Sequence, residues 1–444
     1  GVFDLSGGTW SNYGATPVVG RFIGGAGVLN VSGGIFIYTN GGNRLILGEQ
    51  GRGELNVTGG RVTLSTGLSV GGFNNNMGTG LVSLAGGVIE ASIVAQATGT
   101  SFGVFNFQGG TLRALANNAT FMQALDAAYV WPGGAVVDAG PYAITIAQDL
   151  LTPPGSGVSG LVLTNGGSGY IGPPLVVIEG GDGTGATAVA EVDLAAGVVT
   201  NVRVTCPGVN YSTAPAVTLV GGGGIGAGVG LPSLAANAGG GFVKLGSGAV
   251  KLTGTNTFAG NIVISNGVFL VGSTNITGGI ELAGTNIGIG GAFNIDQSFL
   301  TWLSGKMVGS NPAALAIGAN TTNDLDLSAA PWANGAIVSG GGTESFNGGL
   351  TTGSTNLYLG GTAGTLVWAR VIGTGTNVFI GRAGGESAGV VTLSGTNVGY
   401  GSEINVVGGT LRRGLSDGLG GAAARVVAAA GAALALNGAD AGDG

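Results

Sequence analysis

GVFDLSGG (1–8), GVLNVSGG (27–34), GELNVTGG (53–60), GLVSLAGG (80–87) and GVFNFQGG (103–110) succeed one another along the first quarter of the chain. The first glycine of each closing doublet falls at Gly7, Gly33, Gly59, Gly86 and Gly109, a near-constant interval. Self-similarity at such a period marks a repeat architecture. Within each copy the residues four and two before the doublet are apolar, as in Leu29 and Val31, and the residue between them is Asp4, Asn30, Asn56, Ser83 or Asn106. That alternation is a strand with its apolar pair turned inward and its middle residue outward. Further short strands follow each doublet, for example 61–64 and 68–70, so three strands make one coil. The doublets supply its corners, where positive φ or a missing Cβ is needed. Stacked coils of about 26 residues predict an all-β fold, a right-handed parallel β-helix or β-solenoid, over residues 1–113.

Composition agrees that the chain must bury something. Of 444 residues, 98 are Gly and 12 Pro, a level that suggests disorder in a sequence without periodicity. Disorder also needs low hydrophobicity and high net charge, whereas here 44% of residues are hydrophobic and the formal charge is only −7. No apolar run reaches the roughly 18 residues that cross a bilayer, so no membrane span is expected. The first residues already read as a strand, and any export signal is expected to have been removed or to lie outside this segment. The single cysteine, Cys206, excludes an intrachain disulfide and reads as a buried thiol. Without histidine there is no Ser–His pair, no His-bound zinc and no switch near neutral pH. The 21 acidic and 14 basic residues are spread thinly, with no basic stripe for phosphates, so nucleic acid is not an expected partner.

The pattern changes after residue 113. In NNATFMQALDAA (117–128), Phe121, Met122 and Leu125 share a helical face that Asn118 or Thr120 would cap, which predicts a short helix with connecting strands over 114–156. Residues 157–236 then form a second repeat, in which Tyr170 of the first copy corresponds to Tyr211 of the second. Each copy has an alternating strand, a turn ending in Tyr, a Pro-bearing corner, another strand and a Gly-rich loop. This predicts a small inserted β module. It resembles a Gly-Gly-Ser-Gly-Tyr type repeat of bacterial surface and phage structural proteins, and insertions on the side of a solenoid are where recognition concentrates.

The stretch GAVKLTGTNTFAGNIVISNGVFLV (248–271) resembles the autotransporter-associated β-strand repeat, which reads Gly-x-Leu-x-Leu-Ser/Thr-Gly-x-Asn-Thr-Tyr/Phe-x-Gly before two further strands. A weaker copy from Gly389 keeps Leu393, Gly395 and Asn397. Between them, NLYLGG and NVFIGR place Gly360 and Gly381 one short coil apart. The resemblance implies a solenoid through most of 237–444 and export to the cell surface, where such repeats form stalks or adhesins. The number of coils between 280 and 350, where the repeat blurs, is left open.

β-Helices also host glycan lyases and hydrolases, which need clustered carboxylates or cations. Asp324 and Asp326 beside Asn323 lack the ligand set of a calcium loop. Arg412 and Arg413 with Asp417 read as an exposed strand end. No catalytic residue, metal ligand or cofactor site is therefore expected. The functional expectation is a secreted or cell-surface structural solenoid that assembles head-to-tail into a fibre with copies of itself. Val2, Phe3 and Leu5 would form one edge and Leu434 and Leu436 the other, since neither end shows a polar capping repeat. The alternative is a stalk or adhesin that displays the inserted module to glycans or surfaces, and a polysaccharide-active enzyme comes third.

Overall fold

The computed structural model describes residues 1–444 apart from 40–41, 73–76, 97–99, 285, 310, 330–331, 363, 382–388 and 437–444. Parallel strands stack into a β-solenoid of about 16 turns. The first face runs through Val2–Leu5, Ala26–Val31, Arg52–Val57, Thr79–Leu84 and Phe102–Phe107. Its register sets Leu5, Val31, Val57, Leu84, Phe107 and Val130 in one inward row. Each such side chain, fully buried, contributes about 1.5–3 kcal/mol. The second face starts at Thr9–Asn12 and the third at Val18–Val19, and among the described residues the third face is the longest, with 15 strands.

The doublets turn the corners as their chemistry requires. Gly34, Gly60 and Gly87 have φ of 67°, 64° and 59°, which L side chains avoid. A Cβ on Gly33 would run into the carbonyl oxygen of Ser6 in the neighbouring coil.

The helix expected over 117–128 is not formed. Asn118–Gln123 and Ala127–Val130 are strands of the third and first faces, separated by a bend at Ala124 with φ 62°. Phe121, Met122 and Leu125 are buried as the helical reading demanded, yet the backbone partners on both sides decide their conformation. The cap is present without its helix: Thr120 N donates to Asn118 Oδ1 at 2.7 Å. Residues 114–151 are thus ordinary coils.

The chain leaves the solenoid after Leu150–Leu151 and returns so that Ala135 pairs with Phe242 and Ala143 with Ala249. Between lies the antiparallel module, with strands Leu175–Glu179 and Ala216–Val220 paired at its centre about Val177 and Thr218. Its tyrosines are exchanged. Tyr170 packs on Gly222 and Gly224 of the second copy, and Tyr211 packs on Gly181 and Gly183 of the first.

Beyond the module the coils shorten and the first face is replaced by extended chain. The buried Asn256 pins that chain: its Oδ1 accepts from Leu150 N at 3.0 Å and its Nδ2 donates to Gly254 O at 2.9 Å. Asn397, in the weaker copy, does the same for Ile372 N and Gly418 O, both at 2.7 Å. The α-helix Gln297–Lys306, capped by Asp296, buries Phe299, Leu300 and Leu303 in the core. In the same part of the chain the third face folds sharply outward on itself. A Cβ on Gly288 would lie 2.8 Å from Val338, although a whole strand, Ala313–Ile317, stands between the two in the sheet. This is an elbow. After it, strands Thr343–Phe346 through Ala433–Ala435 rebuild a second face of their own.

Candidate functional site

The residues expected at self-association edges sit in different strands that the fold keeps apart. Val2–Leu5 is an outer strand of the first face, and Ala433–Ala435 an outer strand of the last sheet. Leu5 is buried, while Phe3 is 44% exposed and meets Trp10 edge-on, which in turn stacks on Phe36 at 4.3 Å. Leu434 and Leu436 are exposed. Asp324 accepts from Gly349 N and Asp326 from Ser328 N at 2.8 Å; bonding to the Ser328 side chain, and then to its N–H, holds the Asp326 carboxyl below the usual range. Arg412 is exposed, and Asp417 accepts from Ser416 Oγ at 2.6 Å. Among the described residues no group of three His, Cys, Asp or Glu side chains is placed to hold a metal ion.

The residues that the fold does bring together are on the outer side of the first face. Strand alternation turns Leu81, Val104 and Ala127 outward, in one row, beside Ser83, Asn106 and Tyr129 in the next. Yet the row of Leu81, Val104 and Ala127 is buried, as are Asn56, Ser83 and Asn106, because the module folds back over them. Sequence placed Asn56, Ser83 and Asn106 outward correctly and missed the cover, for nothing local states where an insertion will pack. The apolar Leu81 and Val104 at outward positions were the available signal.

Specific bonds fix the docking. Trp131 packs on Cys206 and Val209, and its Nε1 donates to Asn106 Oδ1 at 2.9 Å. Gln108 Nε2 donates to Thr205 O at 2.8 Å. Arg52 donates from Nη2 to Ala186 O at 3.2 Å and from Nε to Glu54 Oε1 at 2.7 Å. Burial raises the Glu54 carboxyl, against the pull of the Arg52 charge. Burial also pushes the Cys206 thiol up to about 12, so it is an inert packing group rather than a nucleophile.

Beside this contact lies a cleft of about 290 Å³, lined by Asp4, Asn30, Asn56 and Thr58 from the solenoid and Glu191 and Arg203 from the module. Asn56 Nδ2 donates to Asn30 Oδ1 at 3.0 Å and Asn30 Nδ2 to Asp4 Oδ1 at 2.6 Å, an amide ladder ending in a carboxylate. Glu191 pairs with Arg203 at 3.5 Å. Amides, acid and guanidinium on adjoining walls suit a polyhydroxylated ligand, and the volume lies just under the lower bound of about 300 Å³ for small-molecule sites. The groove at the elbow, over Val268 and Val338 with Asn266, Asn286 and Tyr358 around it, holds about 120 Å³ and falls short of that bound.

No helix among the described residues is long and apolar enough to cross a membrane. Comparison with family models, curated proteins and solved structures finds no match for this chain.

Proposed function

We propose that this chain is a structural segment of an exported surface protein, a rod that holds its inserted module outward for contact. The observation that carries the reading is the register across the insertion. Ala135–Asp138 pairs with Phe242–Leu245 residue for residue, so the scaffold continues as though the module were absent and the module is cargo on it. The likeness of residues 248–271 to the autotransporter-associated repeat supports export. A polar cleft between rod and module, rather than converging acids, favours adhesion to glycans over their cleavage.

A glycan array probed with the full chain and with a variant lacking residues 157–236 tests this reading. Binding that disappears with the module supports it. Release of sugar products from a polysaccharide by the full chain would overturn it in favour of an enzyme.

A further inference from the structure

The cleft between rod and module has two walls of unlike chemistry, and the groups each wall leaves open define what it can hold. On the rod wall the amides point one way. Asn56 Nδ2 donates to Asn30 Oδ1 and Asn30 Nδ2 donates to Asp4 Oδ1, so the row is polarised toward Asp4, its negative end. Among the described residues no basic side chain pairs with Asp4. On the module wall Glu191 is already held, by Arg203 at 3.5 Å and by Asn201 Nδ2 at 3.3 Å.

The other end of the row opens to the cleft through a buried atom. Asn56 is only 3% exposed, yet among the described residues its Oδ1 receives no hydrogen bond. A buried amide oxygen is costly to leave without a donor, and any ligand that displaces water here must bring one. The rod wall thus offers two acceptors, one neutral and one charged. A hydroxyl satisfies the first. An ammonium suits the second, because a hydrogen bond between opposite charges is the stronger kind. An acidic sugar fits poorly: Asp4 repels it, and the guanidinium of Arg203 is shared with Glu191. The larger space on the other side of the docking contact, about 830 Å³, lacks this polarity, since its Arg52 and Glu54 are spent on each other at 2.7 Å.

We infer that the cleft recognises an amino sugar with a free ammonium group, which Asp4 holds while Asn56 Oδ1 accepts from a ring hydroxyl. This rests on the glycan-binding reading above and narrows it to one class of sugar.

Calorimetric titration of the full chain with a glucosamine tetramer, its N-acetylated form and a galacturonate tetramer tests it. The free amine is expected to bind about 10-fold more tightly than the N-acetylated form, which lacks the charge, and high salt should shrink that margin. Asp4→Asn should bring the two to equal affinity. Its circular dichroism and melting should be unchanged, because Asp4 is exposed and an asparagine oxygen still accepts from Asn30. Equal or tighter binding of the N-acetylated or the acidic tetramer by the wild type overturns the inference and leaves a glycan site of another class. A margin that persists in Asp4→Asn overturns the role of Asp4, and spermine competing as well as the amino sugar overturns that of the hydroxyls. Binding to no sugar on a full array removes the glycan reading, and this inference with it.

Discussion

Before the module, each strand of the first face pairs with its equivalent one long coil later, Val2 with Val28, Ala26 with Arg52 and Arg52 with Thr79, and each coil closes three faces. Beyond it, Phe242 pairs with Ile262 and Ile262 with Ile280, so the coils are shorter and two faces remain. The wide coils turn on glycine doublets, which leave the backbone free to take positive φ. The narrow coils replace a whole strand by extended chain, and a buried asparagine then satisfies backbone groups that the lost strand would have paired. A solenoid can therefore shed a face if a side chain takes over its hydrogen bonds. The narrow part is also where the rod bends, since a strand with Gly288 and Gly290 at its outward positions offers no side chain to keep the neighbouring strands apart.

This contrast breaks most visibly at the elbow. A Cβ on Gly290 would collide with the carbonyl oxygen of Ala316, which cannot rotate away. Gly290→Val is expected to destabilise by about 4 kcal/mol or more, read from urea unfolding. If it is tolerated, the folded-back third face is wrong.

Lys244 sharpens the comparison next. It occupies an inward position, equivalent to Val137 in the preceding coil, and its Nζ donates to Gly246 O, Gly248 O and Asn266 O at 2.5–2.6 Å. Burial pushes the ammonium down to about 7, against the Asp138 charge that lifts it. The unfolded chain keeps that proton to about 10.4. Between these values the unfolded state binds more protons, so stability rises with pH, by on the order of 3 kcal/mol from pH 7 to 10. Lys244→Met should remove that slope; an equal slope in the variant would assign it to other groups.

The corner asparagines come third. Asn256→Ala and Asn397→Ala each leave two buried backbone groups without partners and are expected to cost about 2–3 kcal/mol. The outward Thr63→Ala in a wide coil, which loses one hydroxyl bond to Glu90, is expected to cost under about 1 kcal/mol. Similar costs at the two kinds of position would remove the distinction drawn between the coils. Smallest is Gly305→Ala, near the end of the helix with open space around it, expected to stabilise by about 0.5–1 kcal/mol in thermal melts.

Much of the scaffold was legible because one repeated rule wrote it. The inward pairs such as Leu29 and Val31 and the doublet corners follow from period and spacing. What misled was a short segment with two readings. Phe121, Met122 and Leu125 fit a helical face and a bent strand equally well, and only the neighbouring coils choose between them. The candidate site was less legible. Asn30 and Asn56 read as outward, but the cleft they form with Glu191 and Arg203 joins parts of the chain far apart in sequence, and no local pattern states such a contact. The elbow left a trace in IGIGG at 287–291, where outward positions of a strand hold only glycine.

The most direct test of the account is a cross-link across the insertion. Val136 and Val243 stand on opposite sides of the insertion in sequence and are direct lateral neighbours on the second face, both partly exposed. With cysteines at both, a bis-methanethiosulfonate reagent spanning about 5 Å, the spacing of adjacent strands, should join them within one chain by two disulfides with release of methanesulfinate, while the buried Cys206 stays unreacted. The pair Val136→Cys with Val263→Cys, one strand further, should not join. Failure of the first pair to cross-link in the native protein, or equal linkage of both, would contradict the stacking of coils across the module.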